Sequence, residues 1–252
     1  MAKSIVVELA GVPVEVVCRT RENYEFLKGY ETDKAPLAHV EPTDHDLESV
    51  GAFLRYFNES EGDLRHELTD VYVENFELES QLAMTLVPYG ILQLHASALC
   101  MDGEGYAFTA PSGTGKSTHS RLWREAFGDR VVMINDDTPL IRVEEDAVFI
   151  CGCPWSGKHG IAANASAPLK AIVTLERGVE NQIEKISAAE AFPVVFKQTR
   201  ASGNRRILIK ILDLERRLLE RVKCFRLRCN MSSDAPLVAW RGLSQSTESH
   251  PF

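Results

Sequence analysis

The sequence predicts an α/β fold with a small α+β region ahead of its main sheet, on three observations. Apolar runs of strand length alternate with stretches whose apolar residues recur at helical spacing. Residues 106–127 read as strand, glycine-bearing loop and helix in immediate succession. The turns at Asp102–Gly105 and Glu144–Asp146 are hairpin-sized, too short for the helical crossover that a parallel connection requires.

At 252 residues the chain suits one large domain or two small ones. Residues 1–90 form the first region. Ile5–Leu9 and Val12–Cys18 read as a hairpin around Gly11, and residues 20–42 show no clear pattern. Asp44 is placed to cap a helix carrying Leu47, Val50, Phe53, Leu54 and Phe57 on one face, and a second helix is expected over Glu77–Leu86, stopped by Pro88 and Gly90. The core spans 91–243. Strands are predicted at Ile91–Met101, Tyr106–Thr109, Val131–Ile134, Leu140–Val143, Ala147–Cys151, Ala171–Leu175 and Cys224–Cys229. Helices are predicted from Lys116 to Phe127, from a capping box at Ser187 and Glu190 with a kink at Pro193, and from Gly203-Asn204 to Val222. Residues 244–252 read as a flexible polar tail.

Composition narrows the partners. Hydrophobic residues at 44% and charged residues at 25% exclude a disordered chain. A net charge of −8 argues against a nucleic-acid binder. No apolar run reaches the roughly 18 residues that span a bilayer, and Glu8, Gly11 and Pro13 interrupt the N-terminal apolar stretch, so neither a membrane span nor a signal peptide is expected. None of the six cysteines forms a CxxC pair; thiols in a reducing cytoplasmic setting are the expectation.

The chemistry concentrates at Ala110-Pro111-Ser112-Gly113-Thr114-Gly115-Lys116-Ser117, which fits GxxxxGK[ST] with alanine at the first glycine position. Gly113 and Gly115 let the backbone turn successive N–H groups onto an anion, and the helix from Lys116 aims its positive end at the same place. Lys116 is the residue to reach the β- and γ-phosphates, and the Ser117 hydroxyl to complete a magnesium shell; Ser112–Thr118 is the expected nucleotide-binding stretch. The next strand ends in Asp136-Asp137. As a bare pair these would cap a strand end; following a phosphate loop they suit a division of labour, one holding metal and one accepting a proton.

Other candidates have bland alternatives of similar weight. Trp155, Lys158 and His159 lie in a glycine-bracketed loop that either walls an acceptor pocket or is surface. Arg200 is either a phosphate clamp or part of a solvated helix start. His119 is expected to pack rather than to act chemically.

Leu94-His95-Ala96-Ser97-Ala98, the loop APSGTGKST, the INDD segment and Gly160-Ile161 before the run at Ala171–Leu175 together resemble the HPr kinase/phosphorylase superfamily, which shares its nucleotide core with ATP-dependent phosphoenolpyruvate carboxykinases. The similarity covers residues 91–230, not 1–90, and is closest to compact HPr-kinase-related serine kinase-like proteins. It implies a mixed, largely antiparallel P-loop core sheet flanked by helices. It implies His95 near the reacting centre, Asp136 as general base, Asp137 as a magnesium ligand beside Ser117, and self-association into a homo-oligomer. The family's acidic, arginine-containing signature before Gly-Ile is replaced here by Cys153-Pro154-Trp155-Ser156-Gly157-Lys158-His159, so the reverse, dephosphorylating reaction does not follow.

The expected activity is transfer of the γ-phosphoryl group of ATP, with Mg²⁺, to the hydroxyl of a serine, a peptide or protein serine, or a small-molecule alcohol. A nucleotide-binding sensor or scaffold without turnover is the alternative. A phosphoenolpyruvate carboxykinase fits less well, since the chain is short and lacks a matching oxaloacetate-binding set.

Overall fold

The computed structural model describes residues 2–61, 68–157 and 160–245. The chain divides into two compact units, Met1–Tyr89 and Gly90–Phe252.

The first unit opens with β1 (Lys3–Leu9) and β2 (Val12–Cys18), paired antiparallel through a two-residue turn. Ala10 and Gly11 both have positive φ (49° and 87°), the geometry that matches hairpin twist. The stretch without a sequence pattern holds α1 (Arg21–Leu27) and β3 (Ala38–Val40), which pairs parallel with β2. Two helices follow, α2 (Asp44–Glu61) and α3 (Asp70–Leu86). The cap of α2 is Thr43 rather than Asp44: the Thr43 hydroxyl accepts from the Asp46 N–H, and the Asp46 carboxylate accepts from the Thr43 N–H, a reciprocal box. α3 begins seven residues before the expected Glu77 because Thr69 caps it. Its buried Glu74 accepts from the Thr20 N–H (2.9 Å) and from Asn23 Nδ2 (2.8 Å), which fixes α1 against α3.

The second unit is built on a nine-stranded mixed sheet flanked by helices. Its strands are β4 (Ile91–Gln93), β5 (Ala96–Met101), β6 (Glu104–Thr109), β7 (Val131–Asn135), β8 (Leu140–Val143), β9 (Val148–Cys151), β10 (Ser166–Arg177), β11 (Gln182–Ile186) and β12 (Lys223–Cys229). The order is β4-β8-β9-β10-β6-β5-β7, with β12 beside β10 and β11 beside β12. Among the described residues, the pairings of β10 with β6 and with β12 are parallel and the other pairings of this sheet are antiparallel. The α/β fold with a mixed, largely antiparallel sheet is therefore as the sequence predicts.

Several details differ from that reading. The single strand expected over 91–101 is broken at Leu94-His95, where the His95 N–H donates to Gln198 O (2.8 Å) and the Ala96 N–H to Asp137 O (2.9 Å). The β5–β6 turn needs only Asp102 and Gly103, both at positive φ, so β6 starts at Glu104. β11 and a last helix, α7 (Ala235–Gln245), carry no expectation; α7 takes in Ser244 and Gln245, assigned to the flexible tail, and the rest of that tail lies outside the described residues.

The remaining helices are α4 (Lys116–Phe127), α5 (Ala188–Gln198), which continues through Pro193, and α6 (Arg205–Arg221). α4 and α7 share one core with Tyr106, Phe108, Val173 and Phe225. Pleat alternation buries Ala107 and Ile172 on the opposite face, where α5 and α6 pack together and meet β12. The α6 interior holds a carboxyl group, Glu215, fully buried and with no hydrogen-bond partner on either oxygen. Burial pushes it up to about 7, against a smaller lowering pull from the Thr199 hydroxyl, whose proton goes to Val195 O.

Two outcomes follow from this packing. Because the folded state holds the Glu215 proton between pH 4.5 and about 7 while the unfolded chain releases it, stability falls as pH rises through that window and stays lower above it. Glu215→Gln should flatten that dependence and raise the melting temperature at pH 8, in thermal melts at pH 5 and pH 8. A Cβ on Gly152 would lie 1.8 Å from the Ala163 carbonyl oxygen and 3.0 Å from that of Ile134, both backbone atoms unable to yield cheaply. Gly152→Ala should cost about 2 kcal/mol or more, read as a melting temperature lower by about 5 °C.

Candidate active site

The carboxyl end of β6 runs into the loop Ala110–Gly115, and α4 follows at Lys116. Gly113 (φ 75°) and Gly115 (φ 119°) adopt the left-handed backbone that this turn requires, which costs other residues more. Gly115 is the N-cap of α4 and makes no side-chain cap, so the first N–H groups of the helix are left to whatever enters the turn. The loop is held from within and from outside: the Thr114 hydroxyl donates to Pro111 O (2.8 Å), and Arg177 Nη2 donates to Gly113 O (2.7 Å).

α4 is anchored by residues at i, i+4 and i+8. His119, Trp123 and Phe127 line its core face, with the fully buried Trp123 ring 5.4 Å from Phe108 and 5.2 Å from Phe127. Trp123 Nε1 donates to His119 Nε2 (2.9 Å), and burial lowers the His119 pKa to about 4. His119 thus packs, as its position on the helix predicts.

His95, Ser112, Gly113, Gly115, Lys116, Ser117, Thr118, Asp136 and Asp137 line one cleft of about 380 Å³, joined by Gly157. Lys116 Nζ lies 2.8 Å from His95 Nε2 and donates to Ala110 O (2.9 Å). Lysine only donates, so His95 Nε2 accepts and its proton sits on Nδ1, 3.2 Å from Asp137 Oδ1. Burial lowers the Lys116 pKa, and the Asp137 and Asp136 carboxylates partly oppose that shift.

Asp136 is only 7% exposed, and its Oδ1 accepts from the Ser97 hydroxyl at 2.6 Å. Ser97 Oγ is also 2.6 Å from Ser120 Oγ, which contacts Lys116 O at 3.3 Å. Asn135, fully buried, fastens the next layer. Its Nδ2 donates to Cys153 O (3.1 Å) and Trp155 O (2.8 Å), and its Oδ1 accepts from the N–H groups of Asp137 (2.9 Å) and Thr138 (2.8 Å). Ser97, Ser120 and Asn135 carry no sequence expectation. The available signals were small: Ser97 is two residues from His95 on a strand, Ser120 is four from Lys116 on a helix, and Asn135 abuts the acidic pair.

Three other candidates fall elsewhere. Thr114 lies in the loop but not along this cleft. Trp155 is 8% exposed and enters through its backbone carbonyl, as acceptor for Asn135 and for Thr138 Oγ1 (3.0 Å). Arg200 Nε donates to Gln93 Oε1 (2.7 Å), and its N–H to Gln93 O (3.0 Å), away from the cleft. Lys158 and His159 lie outside the described residues.

The donor set fits a magnesium ion bound with phosphates. Among the described residues no group of three or more His, Cys, Asp or Glu could hold a metal by itself. The Ser117 hydroxyl and Asp137 carboxylate line the same cleft, a sparse set of the kind this ion completes with phosphate oxygens and water.

No family model matches the chain, and no curated protein matches it. Among solved structures, the fold is weakly similar to the HPr(Ser) kinase/phosphatase from Coxiella burnetii, at 11% identity and a TM-score of 0.36, covering 62% of this chain and 95% of that one. The likeness is one of fold. Among the described residues, no helix is long and apolar enough to cross a membrane.

Asn135→Ala removes a side chain that satisfies four backbone groups. It should cost about 3 kcal/mol in denaturant unfolding and speed amide hydrogen exchange at Asp137 and Thr138 ahead of the strands.

Proposed function

We propose that this protein is a kinase that transfers the γ-phosphoryl group of ATP to a hydroxyl. What carries the reading is that the phosphate-loop glycines, Lys116, Ser117, His95 and two carboxylates line a single cleft. The loop amides and the open N-terminus of α4 bind phosphate oxygens, and Lys116 meets charge on the transferring group. Ser117 and Asp137 would hold magnesium, which would supply positive charge to neutralise the phosphate oxygens.

Asp136 is the general base. With Oδ1 occupied by the Ser97 hydroxyl, its second oxygen accepts the proton of the acceptor hydroxyl. The acceptor oxygen bonds to the γ-phosphorus, the bond to the β,γ-bridging oxygen breaks, and ADP leaves with that electron pair. His95, with its Nδ1 proton toward Asp137, orients Lys116 through Nε2. The acceptor class is a small-molecule alcohol or the hydroxyl of a peptide or protein serine.

The test is transfer of label from γ-labelled ATP into a metabolite and peptide pool. Asp136→Asn should cut transfer about a thousandfold and leave MgATP binding by calorimetry within about twofold. A wild-type protein that labels nothing, or an Asp136→Asn protein that transfers normally, would sink the reading.

A further inference from the structure

The outward side of α2, in the first unit, is aromatic. Phe53 is 54% exposed, Tyr56 72% and Phe57 48%, and the three lie at spacings of three and four along one helix. Phe53 and Phe57 stack with ring centroids 6.2 Å apart, and Phe53 lies 6.5 Å from Phe76 of α3, so the patch continues from one helix to the next. Single apolar side chains are common on a surface, whereas a contiguous group of large rings marks a place where another molecule binds. We propose that this face docks a basic polypeptide segment that carries apolar side chains.

Charge selects that occupant. α2 and α3 together hold nine Asp and Glu and one basic residue, Arg55. Met1–Tyr89 has seven Lys and Arg against eighteen Asp and Glu, whereas Gly90–Phe252 has twenty-one against eighteen. The acidic excess of the chain is therefore confined to the unit that bears the rings. Part of it serves the fold: Glu74 accepts from the Thr20 N–H and Asn23, and Asp44 pairs with Arg19. Glu48 and Glu59 are exposed, and Glu59 follows Tyr56 by one helical turn.

Rings and carboxylates side by side suit Lys and Arg, whose hydrocarbon stems lie along aromatic faces while their charged heads meet carboxylates. Apolar residues between them would cover Phe53 and Phe57. An anionic bilayer is repelled by the same charge, and a second copy docked through its own α2 would bring like charges together.

The test uses a short fluorescent peptide of Lys and Leu at amphipathic helical spacing, titrated by anisotropy into the full-length protein. Nucleotide is left out, so the result is independent of the kinase reading. The peptide should bind with a Kd of about 10 μM at low salt and about tenfold more weakly at high salt. A version with Glu for Lys should not bind, and one with Gln for Leu should bind about tenfold more weakly. Tyr56→Ser and Glu59→Lys, both at exposed positions, should each weaken the Lys–Leu peptide about fivefold or more and leave the melting temperature unchanged. Equal affinity for the Lys and Glu peptides, or unaltered affinity in both variants, would overturn the proposal. So would binding to anionic vesicles, or dimerisation by light scattering, that Tyr56→Ser abolishes, since either would give the face a different occupant.

Discussion

The arrangement of this site depends on a buried carboxylate that has been given a donor. Asp136 sits at the end of β7 with 7% of its surface exposed, where an ionised oxygen without partners would be costly. The Ser97 hydroxyl, from β5 beside β7, meets that need at 2.6 Å, and Ser120 on α4 closes the chain behind it. Three elements distant in sequence are therefore held in register by hydroxyls too short to adapt to a displaced neighbour. The orientation of Asp136 is set by the sheet and the helix together, not by the loop it begins.

The same logic extends outward. A helix N-terminus binds an anion usefully only if its axis is fixed, and α4 is fixed by the packing of Trp123 and Phe127 with Tyr106 and Phe108. On the far side Asn135 spans from the acidic pair to the backbone of Cys153 and Trp155, so the 153–157 loop is positioned by the strand that delivers the carboxylates. Gly157 comes so close to Asp137 that a Cβ there would lie 3.0 Å from the aspartate Cβ. The apolar core thus fixes the α4 end of the cleft, and a polar network fixes its carboxylate end.

What was legible in the sequence was what local rules encode. The glycine-bearing loop after β6 announces itself by its spacing, the β5–β6 hairpin by turn residues at Asp102–Gly105 of which only the first two make the turn, and α5 by its capping box. The gathering of Lys116, Asp136 and Asp137 followed from strand–loop–helix order plus the strand after it, whereas His95 was expected beside them only through the family resemblance. What escaped was set by tertiary partners. The break at Leu94-His95 exists because Gln198 and Asp137 carbonyls compete for the N–H groups there, and no local signal marks it. The early start of α3 needed only recognition of Thr69 as a cap. Arg200 and Trp155 were attractive by residue type, but one is engaged by Gln93 and the other contributes a carbonyl. Ser97 and Asn135 are common residues whose weight comes wholly from what they face.

Lys116 shows how the resting cleft is balanced. The residue is 7% exposed, and its hydrogen-bond partners are an imidazole nitrogen and a carbonyl, neither of them an anion. The nearest carboxylates favour the charged form but are outweighed by burial, so the pKa is lowered. The His95 ring therefore stands between Lys116 and Asp137, 2.8 Å from one and 3.2 Å from the other. The strand break at Leu94-His95 makes this geometry available, since a regular strand would give the His95 N–H to the sheet ladder and not to Gln198. The irregular residue in the sheet and the desolvated lysine in the loop are two parts of one arrangement, and each is explained by the other.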